Sequence, residues 1–320
     1  MEAESRALEA NPLDAGIASP PATRRLPSQP SRASALAVAR DYLALTKPRI
    51  IALLLVTTVA TMLVADPAGP PIAIVIWTMI GGYLAAGGAG AINHYLDREV
   101  DARMARTRRR PLVSGRIEPL HGLLFGIALG ALAFVELAIT VNLLAAALAM
   151  AGLLGYVFVY TMWLKPLTPQ NIVIGGAAGA VPPLVGWAAA TGGLSVDALY
   201  PFAIVFFWTP PHFWALSLLI KDDYARTGVP MLPVVRGEDE TRRQILIYAV
   251  VLLAISLLPA IGGLFGAIYL AAALLLSGAF CALALRLRTR ATKSAALRLY
   301  LYSLVYLALL FTAMAADKVV

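Results

Sequence analysis

The chain has 320 residues, of which 60% are hydrophobic and only 14% charged, and its mean hydropathy is +0.77. One water-soluble core cannot hide that much apolar surface, so lipid is the expected solvent and a soluble globular enzyme is excluded. The formal charge of +8 orients a chain in a bilayer before it speaks for nucleic acid, and no nucleic-acid partner is expected; the single cysteine, Cys281, excludes an internal disulfide and a thiolate metal cluster.

Residues 1–47 are rich in Pro, Ser, Ala and Arg and lack a long apolar run, which reads as a disordered tail ahead of one transmembrane domain over 48–320. Glu2, Glu4, Glu9 and Asp14 argue against a transit peptide, and there is no apolar core for a cleaved signal, so the simplest location is a bacterial inner (cytoplasmic) membrane. Apolar runs of membrane-crossing length then fall at 50–65, 72–93, 120–137, 143–162, 171–191, 198–220, 245–260, 263–285 and 295–315, the first and seventh being short. Backbone groups in hydrocarbon must be satisfied within a helix or a closed barrel, and these runs are too long and continuous for barrel strands. The fold class is therefore all-α, a polytopic membrane bundle of about nine helices.

The loop charges test that count. Of the 26 Lys and Arg residues, 25 lie in the tail or in the loops after spans 2, 4, 6 and 8, and only Lys318 lies on the other side. The positive-inside rule makes the N-terminus and these loops cytoplasmic.

Span 2 leads into Asn93, Asp97 and Asp101, spaced i, i+4, i+8 and hence on one helix face. Three oxygen-bearing side chains a turn apart suit Mg2+, which is held by one or two carboxylates together with substrate phosphates. A solvated helix end, with surface pairs to Arg98 and Arg103, is the plain alternative; against it, Asn93 is still at the membrane edge, where a polar side chain is costly and faces a cavity. Glycines 81, 82, 87, 88 and 90 precede it and open space for a neighbouring helix or a substrate. The arginine run 103–110 follows, which serves topology and anionic lipid, and equally offers guanidinium donors to phosphate. Span 6 leaves the membrane into a second acidic pair, Asp222 and Asp223, at the same face. Such placement is what an ancient parallel repeat with halves facing one cavity would produce.

These stretches resemble the UbiA-type intramembrane prenyltransferase superfamily, whose hallmark is N-x-x-x-D-x-x-x-D in one loop and a second Asp-rich motif in another. Within it the likeness is to the enzymes that farnesylate haem. It is carried by 45–49 with Lys47, by 93–101, by Arg106-Thr107 with Arg110-Pro111-Leu112, by 160–171 with Lys165 and Asn171, by 208–214, and by 222–233. One departure is that Asp222 and Asp223 are adjacent, where the superfamily often has D-x-x-x-D, so only one of the pair is expected to reach the metal.

The resemblance implies farnesyl diphosphate and haem B as substrates, Mg2+ as cofactor, haem O as product and haem A synthase as a candidate partner. Metal would be held by Asn93, Asp97, Asp101 and Asp223, with Asp97, Asp101, Asp222 and Asp223 catalytic. Arg106, Arg110, Lys165, Lys47 and Asn171 would bind substrate. His94 and His212 are expected near the cavity, with Trp208, Phe213 and Trp214 available to stack on a porphyrin, and Pro210-Pro211 should break or bend span 6. Rival readings are another acceptor, such as a hydroxybenzoate, a quinone precursor or a chlorophyllide, and a membrane transporter; the near absence of ionisable residues inside the spans speaks against the transporter.

Overall fold

A computed structural model of the chain describes residues 34–319. Most of the expected tail, 1–33, lies outside the described residues. Its last part is not a tail: Ser34 accepts a bond from the Ala37 amide and caps a helix, α1 (Ala35–Thr46). Helix α1 ends at Lys47, whose backbone is left-handed (φ 59°, ψ 54°), and Pro48 starts α2 (Pro48–Ala65) at the position where its missing N–H costs nothing.

Among the described residues nine helices are long and apolar enough to cross a membrane, and the protein is a multi-pass membrane protein. After α2 come α3 (Ile72–Leu96), the short α4 (Arg98–Arg103), α5 (Pro119–Thr140), α6 (Leu143–Leu167), α7 (Asn171–Thr191), α8 (Val196–Leu219), the short α9 (Lys221–Thr227) and α10 (Leu232–Val235), then α11 (Gly237–Ile261), α12 (Ala267–Arg290) and α13 (Lys293–Val319). The seventh span begins at Gly237, well before the apolar run, because Glu238, Asp239 and Glu240 occupy its first turn, where the helix dipole favours acids. Arg242 joins that turn by pairing with Glu238 and Asp239. Pro210 and Pro211 do not break α8, which runs through both.

Two packing regimes share the bundle. Around α8, α11, α12 and α13 the core is aromatic: Trp214, Tyr269, Tyr306, Phe280 and Phe311 are fully buried. Their polar atoms largely find partners inside, with Tyr306 Oη bonded to Ser256 and Ser277, and Tyr269 Oη donating to the Ser256 carbonyl at 2.6 Å. Such bonds hold helices together where lipid supplies no hydrophobic drive. Around α2, α3, α5, α6 and α7 small residues prevail. Helices α3 and α5 cross so closely at Gly88 and Gly126 that a Cβ on either would lie 2.7 or 2.9 Å from the other's carbonyl oxygen.

Candidate active site

Asn93, on the last turn of α3 and only 3% exposed, is the hub. Its Oδ1 accepts from Lys47 Nζ at 2.7 Å, and its Nδ2 donates to Asp97 Oδ2 at 2.8 Å and to Thr161 Oγ1 at 3.1 Å. The left-handed turn at Lys47 separates α1 from α2 at the residue whose ammonium reaches Asn93. A non-glycine residue in that conformation is strained, and its persistence at a polar site fits a functional constraint. Burial first, then the nearby Arg110 and Lys165, pushes the Lys47 ammonium down to about 7, against the pull of Asp97 and Asp101.

Asp97 caps α3 and Asp101 lies one turn on in α4; both are buried. Lys165 Nζ sits 2.5 Å from Asp97 Oδ2, and Arg110 lies 2.5 Å from Asp101 Oδ2. Thr107 fastens the arginine loop by donating to the Asp101 carbonyl. Lys165 and Thr161 reach the site because α6 is π-helical from Gly155 to Leu164, where Thr161 Oγ1 bonds back to the Tyr156 carbonyl. Segments of this kind are frequent at functional sites. Asn171, fully buried at the start of α7, donates to the Lys165 carbonyl at 3.5 Å, while its own Oδ1 has no partner.

The second acidic loop meets the first. Asp223 is buried, pairs with Arg226 and accepts from the Ala105 amide at 3.4 Å, so α9 is joined to the loop after α4. Asp222 is exposed. This corrects the expectation that both acids belong to the site: neighbours on a helix diverge by about 100°, and the inward face of α9 carries Asp223, Tyr224 and Thr227. Burial pushes the Tyr224 phenol up to about 12, with the Arg106 charge opposing that shift; Arg106 itself is exposed and makes no ion pair among the described residues.

Each buried acid is thus matched with a cation, Asp97 with Lys165, Asp101 with Arg110 and Asp223 with Arg226, and Lys47 is in excess. Among the described residues no three His, Cys, Asp or Glu side chains approach closely enough to hold a metal by themselves. The donor set still fits Mg2+ chemically, because that ion takes one or two carboxylates and completes its shell with phosphate and water.

Beside the polar network lies a cavity of about 240 Å³. Thr46, Lys47 and Tyr156 form its polar end, and the remaining wall, from α2, α3, α6 and α7, is apolar except for Thr58, whose hydroxyl is turned back to the Leu54 carbonyl. Lys47 therefore belongs both to the cavity and to the acidic network.

His212 and the aromatics fall elsewhere, whereas His94 adjoins Asn93. His94 is buried with neither ring nitrogen bonded. His212 is not joined to the network: its Nδ1 is 2.6 Å from Ser303 Oγ on α13, and its ring lies between Trp208 and Tyr300. Trp208 donates to the Ser303 carbonyl, Trp214 packs edge-on against Tyr248, and Phe213 packs in the cluster around Tyr224. The two tryptophans expected to stack on a porphyrin are therefore helix–helix packing residues. Sequence reasoning gave no site role to Thr161 and Tyr156, which a π-helical register hides from α-helical spacing, or to Arg226, whose i, i+3 spacing from Asp223 was legible.

Residues 54–311 match the UbiA prenyltransferase family. The chain belongs to that family. This UbiA family member is 56% identical over 281 residues to a protoheme IX farnesyltransferase of Roseiflexus sp. (strain RS-1), with 88% of the chain and 53% of the relative covered. The chain spans about half the length of several curated relatives it matches, this one included. A protoheme IX farnesyltransferase of Symbiobacterium thermophilum is 55% identical over 282 residues, and there 88% of the chain and 94% of the relative are covered. Among solved structures, a UbiA homologue from Archaeoglobus fulgidus bound to DMAPP and Mg2+ has the same fold, with a TM-score of 0.61, 16% identity, and 86% and 99% of the two chains covered.

Proposed function

We propose that this protein transfers a farnesyl group from farnesyl diphosphate to a vinyl group of haem B, with addition of water, giving haem O and diphosphate. The observation that carries the donor half is the junction at Lys47, where an apolar cavity meets three buried carboxylates paired with cations. The acceptor half is supported by the protoheme IX farnesyltransferases at 55–56% identity.

Asn93, Asp97, Asp101 and Asp223 would hold Mg2+, which when bound supplies Lewis-acid neutralisation of the leaving diphosphate. The use of Mg2+ is supported by its presence with DMAPP in the Archaeoglobus fulgidus homologue. Lys47 at the polar end of the cavity, with Lys165 and Arg110 on the adjoining acids, would donate to the diphosphate oxygens and stabilise negative charge as it builds there. The C1–oxygen bond of farnesyl breaks, and C1 bonds to the terminal vinyl carbon. Water adds at the inner vinyl carbon and releases its proton. Apolar walls shield the tail and exclude water from the allylic cation until the porphyrin has reacted. His94 and Asn171, each with a buried unpartnered atom near the network, are the remaining candidates for substrate contact.

The loop charges support a site on the cytoplasmic side, in what we take to be a bacterial inner membrane. Purified protein with Mg2+, farnesyl diphosphate and haem B should yield farnesylated, hydrated haem by mass spectrometry. Product from a hydroxybenzoate and none from haem would refute the acceptor while keeping the donor chemistry.

A further inference from the structure

The cavity ends abruptly, and its depth is readable. On α2 the lining runs from Lys47 to Thr58, eleven residues, or about 16 Å at the helical rise. On the antiparallel α3 it runs down to Gly82, eleven residues from Asn93 and thus the same depth, and on α7 it stops at Val185. Beneath that level the inner face of α2 is packed, with Thr61, Met62 and Val64 buried, while Val59 and Leu63 face the outer side. At that level α7 closes onto α2, because Gly186 lies against the Thr58 carbonyl so tightly that no side chain would fit.

An extended chain advances about 1.2 Å per bond, so a prenyl tail measured from the diphosphate oxygen spans about 10 Å for geranyl, 14 Å for farnesyl and 19 Å for geranylgeranyl. We infer that the Thr58–Val185–Gly186 floor is a ruler that admits a fifteen-carbon tail and rejects a twenty-carbon one. The inference rests on the farnesyl-transfer reading and adds to it the residues that set chain length. Ala85 and Ala89 of α3 line the cavity at about 12 and 6 Å from Asn93, so their small size keeps the shaft open at the third and second isoprene units. The side wall is Leu55, which also borders an outer apolar groove with Val56, Val59 and Met79. A tail that slipped past Leu55 into the bilayer would escape the limit.

The test compares geranyl, farnesyl and geranylgeranyl diphosphates as donors to haem B, with Mg2+, on the purified full chain and on Ala85→Leu and Ala89→Leu. The unmutated chain should use farnesyl at least about tenfold better, by kcat/KM, than geranylgeranyl, the scale on which apolar pockets discriminate. Ala85→Leu should lower the farnesyl-to-geranyl ratio at least about tenfold, whereas Ala89→Leu should depress both donors together. Equal use of the twenty-carbon donor by the unmutated chain overturns the ruler, and that measurement needs no variant to fold. An unchanged farnesyl-to-geranyl ratio in well-folded Ala85→Leu overturns it as well. In both cases transfer itself stands; no prenylated haem from any donor on the unmutated chain would overturn the underlying function and the ruler with it.

Discussion

The two halves of the bundle solve the same problem, helix association in lipid, by opposite means. Where α8, α11, α12 and α13 meet, Trp214, Tyr306 and Phe280 fill the space and hydroxyls bind one another. Where α2, α3, α6 and α7 meet, Gly82, Ala85, Ala86 and Gly152 leave a cavity whose polar end carries Lys47. The first half is a support, and the second is a vessel. Binding free energy for a substrate is available only where packing has been left incomplete, and the acidic network stands at the mouth of that gap rather than over the filled half.

Substitutions in the two halves should therefore fail in different assays. The largest effect is expected at the vessel's mouth: Asp97→Asn should cut turnover by about 10²–10³ or more, with membrane insertion and thermal stability retained, since one carboxylate of the proposed diphosphate site is lost. Near-normal product formation by mass spectrometry would refute the metal role. In the support, Trp214→Ala should cost about 3 kcal/mol of stability by leaving a cavity, read as a lowered melting temperature with turnover per folded molecule unchanged. Tyr306→Phe breaks only the serine contacts and should cost about 0.6 kcal/mol in the same melt.

A smaller effect tests the junction. With its pKa near 7, Lys47 is about nine-tenths neutral at pH 8, and an arriving diphosphate raises that pKa, so binding should take up somewhat less than one proton at pH 8 and weaken as pH climbs above 7. Calorimetry in buffers of different ionisation enthalpy reads the uptake directly; none at pH 8 would show that Lys47 is already charged or does not meet the diphosphate. The smallest effect is Asp222→Asn, which should leave turnover within about twofold because the side chain faces solvent.

Much of this was legible in the sequence. The nine spans are visible because a helix must bring about 20 apolar residues to cross hydrocarbon, and Asn93, Asp97 and Asp101 are visible because helical spacing stacks them. Helix α1 was not, since twelve residues are too few for a span, and the contacts that hold it, Tyr42 on Phe125 and Asp41 on Arg116, lie far away in sequence. The aromatic motif around His212 misled for a related reason: a buried tryptophan and one facing a ligand have the same letter, and only the Ser303 bonds on a helix 90 residues later tell them apart. Nor could spacing choose between Asp222 and Asp223 before the inward face of α9 was known.

The π-helical stretch of α6 carries a consequence for insertions and deletions. Thr161 and Lys165 meet Asn93 and Asp97 because ten residues, Gly155–Leu164, are wound more widely than an α-helix. Removing one residue there would let the segment rewind to α register, which changes both the twist and the rise between Tyr156 and Lys165. Both side chains would swing off their partners at once, although no residue that touches the site had been replaced. The lipid-facing positions 158, 159, 162 and 163 should accept many substitutions, yet the length between Tyr156 and Lys165 should accept none, so that an alignment gap is a harsher lesion in this stretch than a change of residue.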